Sequence, residues 1–395
     1  MPYDRSMLKA FHPSGRFIIS AQYFVYFGVM GIFLPYFNLY CYHLGFNGFQ
    51  IGALSALRSM AMIVFPLLWG GLADRYQKRR AIYVGCNLAS AALWAFYLFA
   101  VDFWFMMIIT FFYGIFYAPI ISFLEAFSME VLGHEKNSYG KVRAWGSISF
   151  IIIVVGIGKI IDLYSIQIII VLILAGSALM AAISVRVPEV RKHQGKSFRK
   201  QVDAFLNRRV LVFLICGFLM LVSHGAYYGF FSIHLEKLGY GSTFIGASWA
   251  LASSAEILVM IASKRLFRRF SLVHVLLFSF MAAAIRWLAL YYVQSPLLIL
   301  MTQLLHAFSY GTFHMASILY IDLLTPIENK TLGQAVNNAV SYGTGLMVGF
   351  LISGYLYERM ETAGLFLISS AIAAAGGVLM KRFAIKENHR ELIRS

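Results

Sequence analysis

The sequence predicts an all-α polytopic membrane protein with twelve transmembrane helices in two six-helix pseudo-repeats. Three observations predict it. Of 395 residues, 60% are hydrophobic and only 13% charged, where a soluble chain is roughly a quarter charged. The apolar residues come in long blocks separated by short polar stretches. A constant offset of 194 positions aligns the first spans of the two halves without a gap.

A hydrocarbon layer about 30 Å thick needs about twenty residues at about 1.5 Å each. A backbone in lipid has to satisfy its own hydrogen bonds, so these blocks are helices and not barrel strands. They fall at approximately 17–43, 48–72, 80–100, 103–131, 140–163, 166–186, 209–237, 242–264, 271–293, 296–323, 331–357 and 362–381. A soluble core this apolar, with mean hydropathy +0.73, would lack the polar surface to cover it. The opening "MPYDRSMLKAFHPSGR" precedes an apolar run as a signal peptide does. No small-residue cleavage pattern follows, so it reads as the approach to a retained first span.

The net charge of +16 sits in short clusters between blocks and not on one stripe, so no nucleic-acid partner is expected. Counting Lys and Arg by side puts 28 of 33 at the N-terminus, the alternate loops and the C-terminus. Lys159, Lys237 and Arg359 lie on the other side, and Arg58 and Arg286 lie inside spans. Positive charge stays inside, so both termini are expected in the cytoplasm, with the chain a multi-pass protein of the cytoplasmic (inner) membrane. Cys41, Cys86 and Cys216 fall in apolar blocks without paired spacing, so neither disulfide nor metal site is expected. The expected partners are the bilayer and a small-molecule substrate, with the chain working as a monomer.

The stretch 187–208 is the long polar connection between spans. It divides an N-terminal six-helix half, 1–186, from a C-terminal half with a cytoplasmic tail, 209–395. At the offset of 194, Gly31, Phe37, Leu44, Gly45, Ile51, Gly52 and Ala53 match Gly225, Phe231, Leu238, Gly239, Ile245, Gly246 and Ala247. Ala56, Leu57, Ser59 and Ala61 match Ala250, Leu251, Ser253 and Ala255, giving eleven identities in thirty-one positions. Two such repeats describe a transporter architecture with a midplane site.

An ionisable residue inside a span is costly, so it faces a cavity or a partner. Glu125 and Arg143 lie symmetrically about residue 134, each about 13 Å of helix from the turn between two antiparallel spans. They can clasp each other, or both can face a ligand. Glu256 lies roughly 20 Å into its span, near mid-depth. Its repeat mate is Met62, one turn from Arg58. Arg286 and His306 complete the buried set. His224, His234 and His314 read more simply as helix-to-helix hydrogen bonders. His306 and His314, eight residues apart, share a helical face. Asp322 and Glu130, near span ends, are expected to contact loops or helix termini. No His/Cys cluster, phosphate loop or activated nucleophile stands out, so neither an enzyme nor a cofactor is expected.

The loop "GGLADRYQKRR" (70–80) resembles the major facilitator superfamily motif G-x-L-x-D-R-x-G-R-[RK]. Gly70, Leu72, Asp74, Arg75, Lys78 and Arg79 fit it, and Gln77 stands at the usual glycine. "FLEAFSMEVL…SYGKVRAWGS" and "LLHAFSYGTFHMAS" (304–317) resemble the branch containing lactose permease and the phenylpropionate permeases. The resemblance covers essentially the whole chain. It implies proton symport, with substrate bound by residues matching Glu125, Arg143 and Glu256, and Arg286 and His306 in the proton-coupling network. Gly70, Asp74, Arg75 and Arg79 would form its conformational loop. The helix-10 carboxylate of that branch is Ser309 here, which leaves the proton to Glu256, Glu125 or a histidine; Glu256 is favoured.

Phe150 stands where sugar-transporting relatives stack a tryptophan. Arg58 adds a cationic fork that suits a carboxylate. The leading expectation is proton-coupled import of a small organic acid, favoured as aromatic, with Arg58 or Arg143 holding its carboxylate. The alternatives are a neutral sugar or nucleoside bound through Glu125, Arg143 and Phe150, and a non-transporting sensor on the same scaffold.

Overall fold

The computed structural model describes residues 13–188, 207–326 and 329–394, so most of the polar connection at 187–208 lies outside the described residues. Every regular element among these is helical. In chain order they are α1 (Pro13–His43), α2 (Gly48–Tyr76), α3 (Arg79–Trp94), α4 (Phe103–Leu132), α5 (Tyr139–Leu163) and α6 (Ile168–Ser184). Then follow α7 (Arg208–Lys237), α8 (Ser242–Arg269), α9 (Leu272–Tyr292), α10 (Pro296–Leu304) and α11 (Phe313–Leu324). The last are α12 (Lys330–Asn337) and α13 (Leu346–Arg394). π-helices at Ala307–Thr312 and Asn338–Gly345 precede α11 and α13. Among the described residues nine helices are long and apolar enough to cross a membrane, and Ile168–Ser184 is a shorter apolar one. The predicted tenth span is interrupted by the first π-helix. The predicted eleventh and twelfth are parted at Glu361, whose φ of 54° and ψ of −174° are not helical.

The "LG" shared by both halves is a helix stop. Gly45 and Gly239 have φ of +82° and +88°, a left-handed conformation that costs a side-chain-bearing residue about 1–2 kcal/mol. Leu44 N–H bonds Tyr40 O at 3.0 Å, and Leu238 N–H bonds His234 O at 3.1 Å. Tyr240 N–H reaches back to Leu235 O at 3.0 Å, completing a C-terminal cap around Gly239. Starts are marked in the usual way. The Asp102 carboxylate accepts from Trp104 N–H and Phe105 N–H at 3.0 and 3.1 Å, and Asn207 accepts from Arg209 N–H.

The chain forms two compact units. Unit 1 comprises 1–44, 60–196 and 241–246. Within it α1 lies close on α5, because a Cβ at Gly31 would sit 3.1 Å from the Phe150 carbonyl oxygen. Gln22 Nε2 donates to Met180 O on α6, and Trp94 Nε1 donates to Ile170 O. Asp162, at the end of α5, accepts from Ser242 N–H at 2.7 Å, Thr243 N–H at 2.9 Å and Thr243 Oγ1 at 2.6 Å.

Unit 2 comprises 45–59, 197–240 and 247–395. Its central helix is α7, whose most apolar window is 72% buried against 33% for α2. Gly225 leaves no room for a Cβ against the Gly349 backbone on α13. The repeated "IGA" glycine has the same use here: a Cβ at Gly52 would lie 2.6 Å from Phe350 O. Gly48 N–H donates to Glu358 Oε1 at 2.7 Å.

Candidate functional site

Unit 2 contains a buried polar network centred on Arg286. The side chain is 0% exposed, and its donors are nearly all used. Nε donates to Thr302 O at 3.1 Å and Nη2 to Gln303 Oε1 at 2.9 Å. Nη1 donates to His306 Nδ1 at 2.8 Å, with a longer contact to Ser309 Oγ at 3.4 Å. The guanidinium also lies over two aromatic faces, 4.2 Å from the Tyr227 centroid and 4.7 Å from that of Trp287. Among the described residues no carboxylate comes within ion-pair distance of it. A buried cation is tolerable only when hydrogen-bonded and screened; here four acceptors and two rings do that.

The network fixes the His306 tautomer. Arginine only donates, so Nδ1 is the acceptor and the ring hydrogen sits on Nε2, which lies 3.6 Å from Glu256 Oε2. That separation is an electrostatic contact and not a hydrogen bond. A second proton on His306 would set N–H against N–H at Arg286, so the geometry holds the ring neutral. Glu256, on α8, has its side chain 20% exposed. Gly311 makes room for it, since a Cβ there would sit 3.1 Å from Glu256 Cγ. Ser309, standing where the resembled branch has a carboxylate, is fully buried and touches Arg286.

Sequence reasoning missed Tyr227, Trp287, Thr302 and Gln303. Tyr227 Oη donates to Gln303 Oε1 at 3.0 Å, so α7 and α10 grip the arginine together. Gln303, a polar residue inside an apolar block, was the available signal. Of the other histidines within spans, His234 and His314 link helices as expected, whereas among the described residues His224 bonds only the carbonyl one turn back on its own α7 and its neighbour Ser223. His234 Nδ1 meets Thr362 Oγ1 at 2.9 Å and His314 Nδ1 meets Tyr342 Oη at 2.8 Å. His224 Nδ1 donates to Met220 O at 2.8 Å. His306, Tyr310 and His314 stack in a column with centroids 5.2 and 6.0 Å apart and planes within 9° and 1°. Arg58, on the 45–59 stretch of the same unit, is half-buried.

Unit 1 presents a different arrangement. Arg143 on α5 rests on Phe27, 3.8 Å from the ring centroid, with Tyr23 at 5.6 Å. Gly146, one turn on, permits this: a Cβ there would lie 2.5 Å from Phe27 and 3.0 Å from Arg143 Nη1. Glu125 on α4 is exposed, and Tyr26, Tyr23, Tyr139 and Arg143 lie near enough to feel its charge. Of the two sequence alternatives, the clasp does not form, because no ion pair within 4 Å joins Glu125 to Arg143 among the described residues. The arginine has turned onto an aromatic face. Behind it Tyr26, Tyr117 and Tyr113 stack at 5.5 and 4.8 Å. Phe150 is 9% exposed, its ring largely covered by α1.

The loop motif splits. Arg79 bridges two carboxylates, with Nη2 to Asp74 Oδ1 at 2.7 Å and Nη1 to Glu130 Oε1 at 2.8 Å. Gly70 and Asp74 line a small cleft with Arg79. Arg75 instead lies 5.8 Å from the Tyr76 ring. Gln77 adopts φ +54°, which is why the motif prefers glycine there, and its Nε2 donates to Asp74 O at 2.6 Å. Lys330 pairs with Asp322 at 2.6 Å. Among the described residues no group of three or more His, Cys, Asp or Glu could hold a metal ion, and none of the three cysteines forms a disulfide.

Three comparisons bear on this arrangement. The profile of the MFS_1 like family matches residues 17–368. The chain is 29% identical over 367 residues to the "Probable 3-phenylpropionic acid transporter" of Escherichia coli (strain K12), covering 90% of this chain and 94% of that one. It is 25% identical over 369 residues to the "Maltose permease" of Geobacillus stearothermophilus, covering 92% and 93%. Its fold is similar to the crystal structure of the nucleoside transporter NupG. There the TM-score is 0.84 at 18% identity, over 93% of this chain and 98% of that one.

Proposed function

This chain belongs to the MFS_1 like family of membrane transporters, and we propose that it is a proton-coupled symporter importing a small organic acid, favoured as aromatic. The observation that carries the reading is the buried Arg286 with no carboxylate at ion-pair distance among the described residues and Glu256 one histidine away. When Glu256 is ionised, its charge offsets Arg286 through the His306 ring. When it is protonated the cluster is left with a net positive charge, and an anionic substrate restores the balance. Proton and anion then favour each other's binding, which is the differential affinity that symport requires.

Arg286 has little donor capacity left, so it sets the charge of the unit 2 cluster and does not itself grip a carboxylate. Arg143 suits the fork. Its guanidinium has no carboxylate at ion-pair distance among the described residues, lies 3.8 Å from the Phe27 ring centroid, and can take a carboxylate bidentately. The aromatic rings around it favour an aryl body, and the E. coli relative's name points the same way. Arg58 is the second candidate. His306, held neutral by Arg286, positions Glu256 and does not itself carry the proton.

The reading includes twelve spans, with the π-helix interrupting the tenth and the Glu361 kink parting the last two. It includes alternating access, both termini in the cytoplasm, an inner-membrane location and a working monomer. The loop cluster Asp74–Arg79–Glu130 would hold one state of that cycle. A neutral sugar is the second reading, supported by the maltose permease likeness and by Phe150 standing two turns after Arg143 on α5.

Proteoliposomes carrying the protein, with an interior pH dye, separate these readings. A panel of arylpropionates, disaccharides and nucleosides is added in turn. Proton entry with arylpropionates alone is the expected result. Proton entry with a disaccharide alone moves the assignment to the second reading, and solute uptake indifferent to pH and uncoupler removes the proton.

A further inference from the structure

The structure assigns a lipid-binding groove to the outer surface of unit 2, and we propose that it takes one acyl chain of an anionic glycerophospholipid whose phosphate sits on Lys381. The groove runs between α9 and α13 and encloses about 540 Å³. Phe278, Met281 and Ala284 form one wall and Ala374 and Gly377 the other, with Phe280 as floor and Lys381 the one charge at its end. It cannot close by collapse, because even a Cβ at Gly377 would lie 3.0 Å from that of Phe280. Above it Ser370 Oγ donates to Ala284 O at 2.8 Å and ties the two helices. From Ala374 to Lys381 the helix rises roughly 10 Å, a depth that suits an acyl segment.

The occupant follows from depth and charge. Both walls belong to stretches long and apolar enough to span a bilayer. Met281, Ile285 and Val378 are about half exposed, and what meets them at that depth is hydrocarbon. At the groove's end the charge is of one sign. Lys381 and Arg382 follow the apolar run of α13 as Lys264, Arg265, Arg268 and Arg269 follow that of α8, and none makes an ion pair among the described residues. This is the face the Lys/Arg count assigns to the cytoplasm, where anionic headgroups attract basic side chains. A second copy docked here about a two-fold axis would bring these cations against their own images, so an anionic lipid is the better match. Ala284 lies two residues before Arg286 on α9, so a chain in the groove braces the helix that carries the buried cation.

Native mass spectrometry of the detergent-purified protein, titrated with phosphatidylglycerol and with phosphatidylcholine, tests this. One phosphatidylglycerol should persist at energies that strip phosphatidylcholine. Lys381→Ala should weaken its retention about fivefold, Lys381→Arg should restore it, and Ala374→Phe, at an exposed position, should abolish it by filling the groove. Equal retention of both lipids, or retention untouched by Ala374→Phe, overturns the proposal. So does a wild-type dimer that Ala374→Phe converts to monomer, which would make a second copy the occupant.

Discussion

The two charged regions differ in how completely they are satisfied. In unit 2 nearly every donor of Arg286 has an acceptor, and two aromatic rings lie close to its guanidinium. In unit 1 Arg143 and Glu125 sit near each other without pairing, one on a ring and the other exposed. A satisfied network resists any exchange of partners, so what it can change cheaply is one proton. An unsatisfied pair gains by acquiring a partner, so it is suited to take and release a solute. On the proposed function, the difference is a division of labour between storing charge and binding.

The sharpest way to break that division is at Glu256. Glu256→Gln fixes the uncharged form, and counterflow of preloaded substrate should persist while proton-driven accumulation falls to background. Arg286→Leu would strand Gln303, Thr302 and His306 and cost about 3 kcal/mol or more of stability, read as thermal unfolding in detergent. A lesser effect is expected in unit 1. Arg143→Gln should raise KM by roughly 10- to 150-fold, the loss of a charged hydrogen-bonded pair worth about 1.5–3 kcal/mol, with proton coupling intact. If instead Arg143→Gln uncoupled transport and Arg58→Gln alone raised KM, the fork would move to Arg58. Gly146→Ala should act more weakly in the same direction by pushing Phe27 off Arg143.

Two smaller effects lie away from both regions. Gln77→Gly relieves a left-handed backbone but loosens the unfolded chain, so a gain of at most about 1 kcal/mol is expected by thermal unfolding. Glu135, at the turn after α4, pairs with Arg16. Hydrogen bonding and charge from Arg16 hold its carboxyl below the usual carboxylate range. Its contribution is therefore present above that range and is lost as pH falls through the lowered value. Both groups are largely in water, so the acid-induced drop in unfolding temperature that Glu135→Gln removes should be the smallest of all.

Much of this was legible in the sequence, for physical reasons. "LG" and "IGA" recur because the same stop and the same close helix approach are built twice, with Gly45 and Gly239 left-handed and Gly52 against a carbonyl. Arg286, His306 and Glu256 stood out because a charge in an apolar block needs a reason, and the structure brings the three together. Depth alone did not settle Glu125 and Arg143. Equal rise brings two residues level but says nothing of rotation about each helix, and Phe27 took the arginine. The aromatic faces on Arg286 were hidden among ordinary lipid-facing rings. Glu130 was expected to meet a loop or helix terminus, and its partner proved to be Arg79 of the loop motif.

The π-helix at 307–312 left no sequence signal, and it has a consequence of its own. A regular helix turns about 100° per residue, so every fourth residue drifts about 40° and His314 would stand about 80° from His306. Widening the turn by one hydrogen-bond step cancels that drift, and the three rings at 306, 310 and 314 lie flat on one another. The segment thus behaves as a key cut one notch long. Deleting Gly311 would return the segment to a regular helix; His314 would then stand seven residues, about 700° of turn, from His306 and keep its face, while Tyr310 would drift about 40° out of the column.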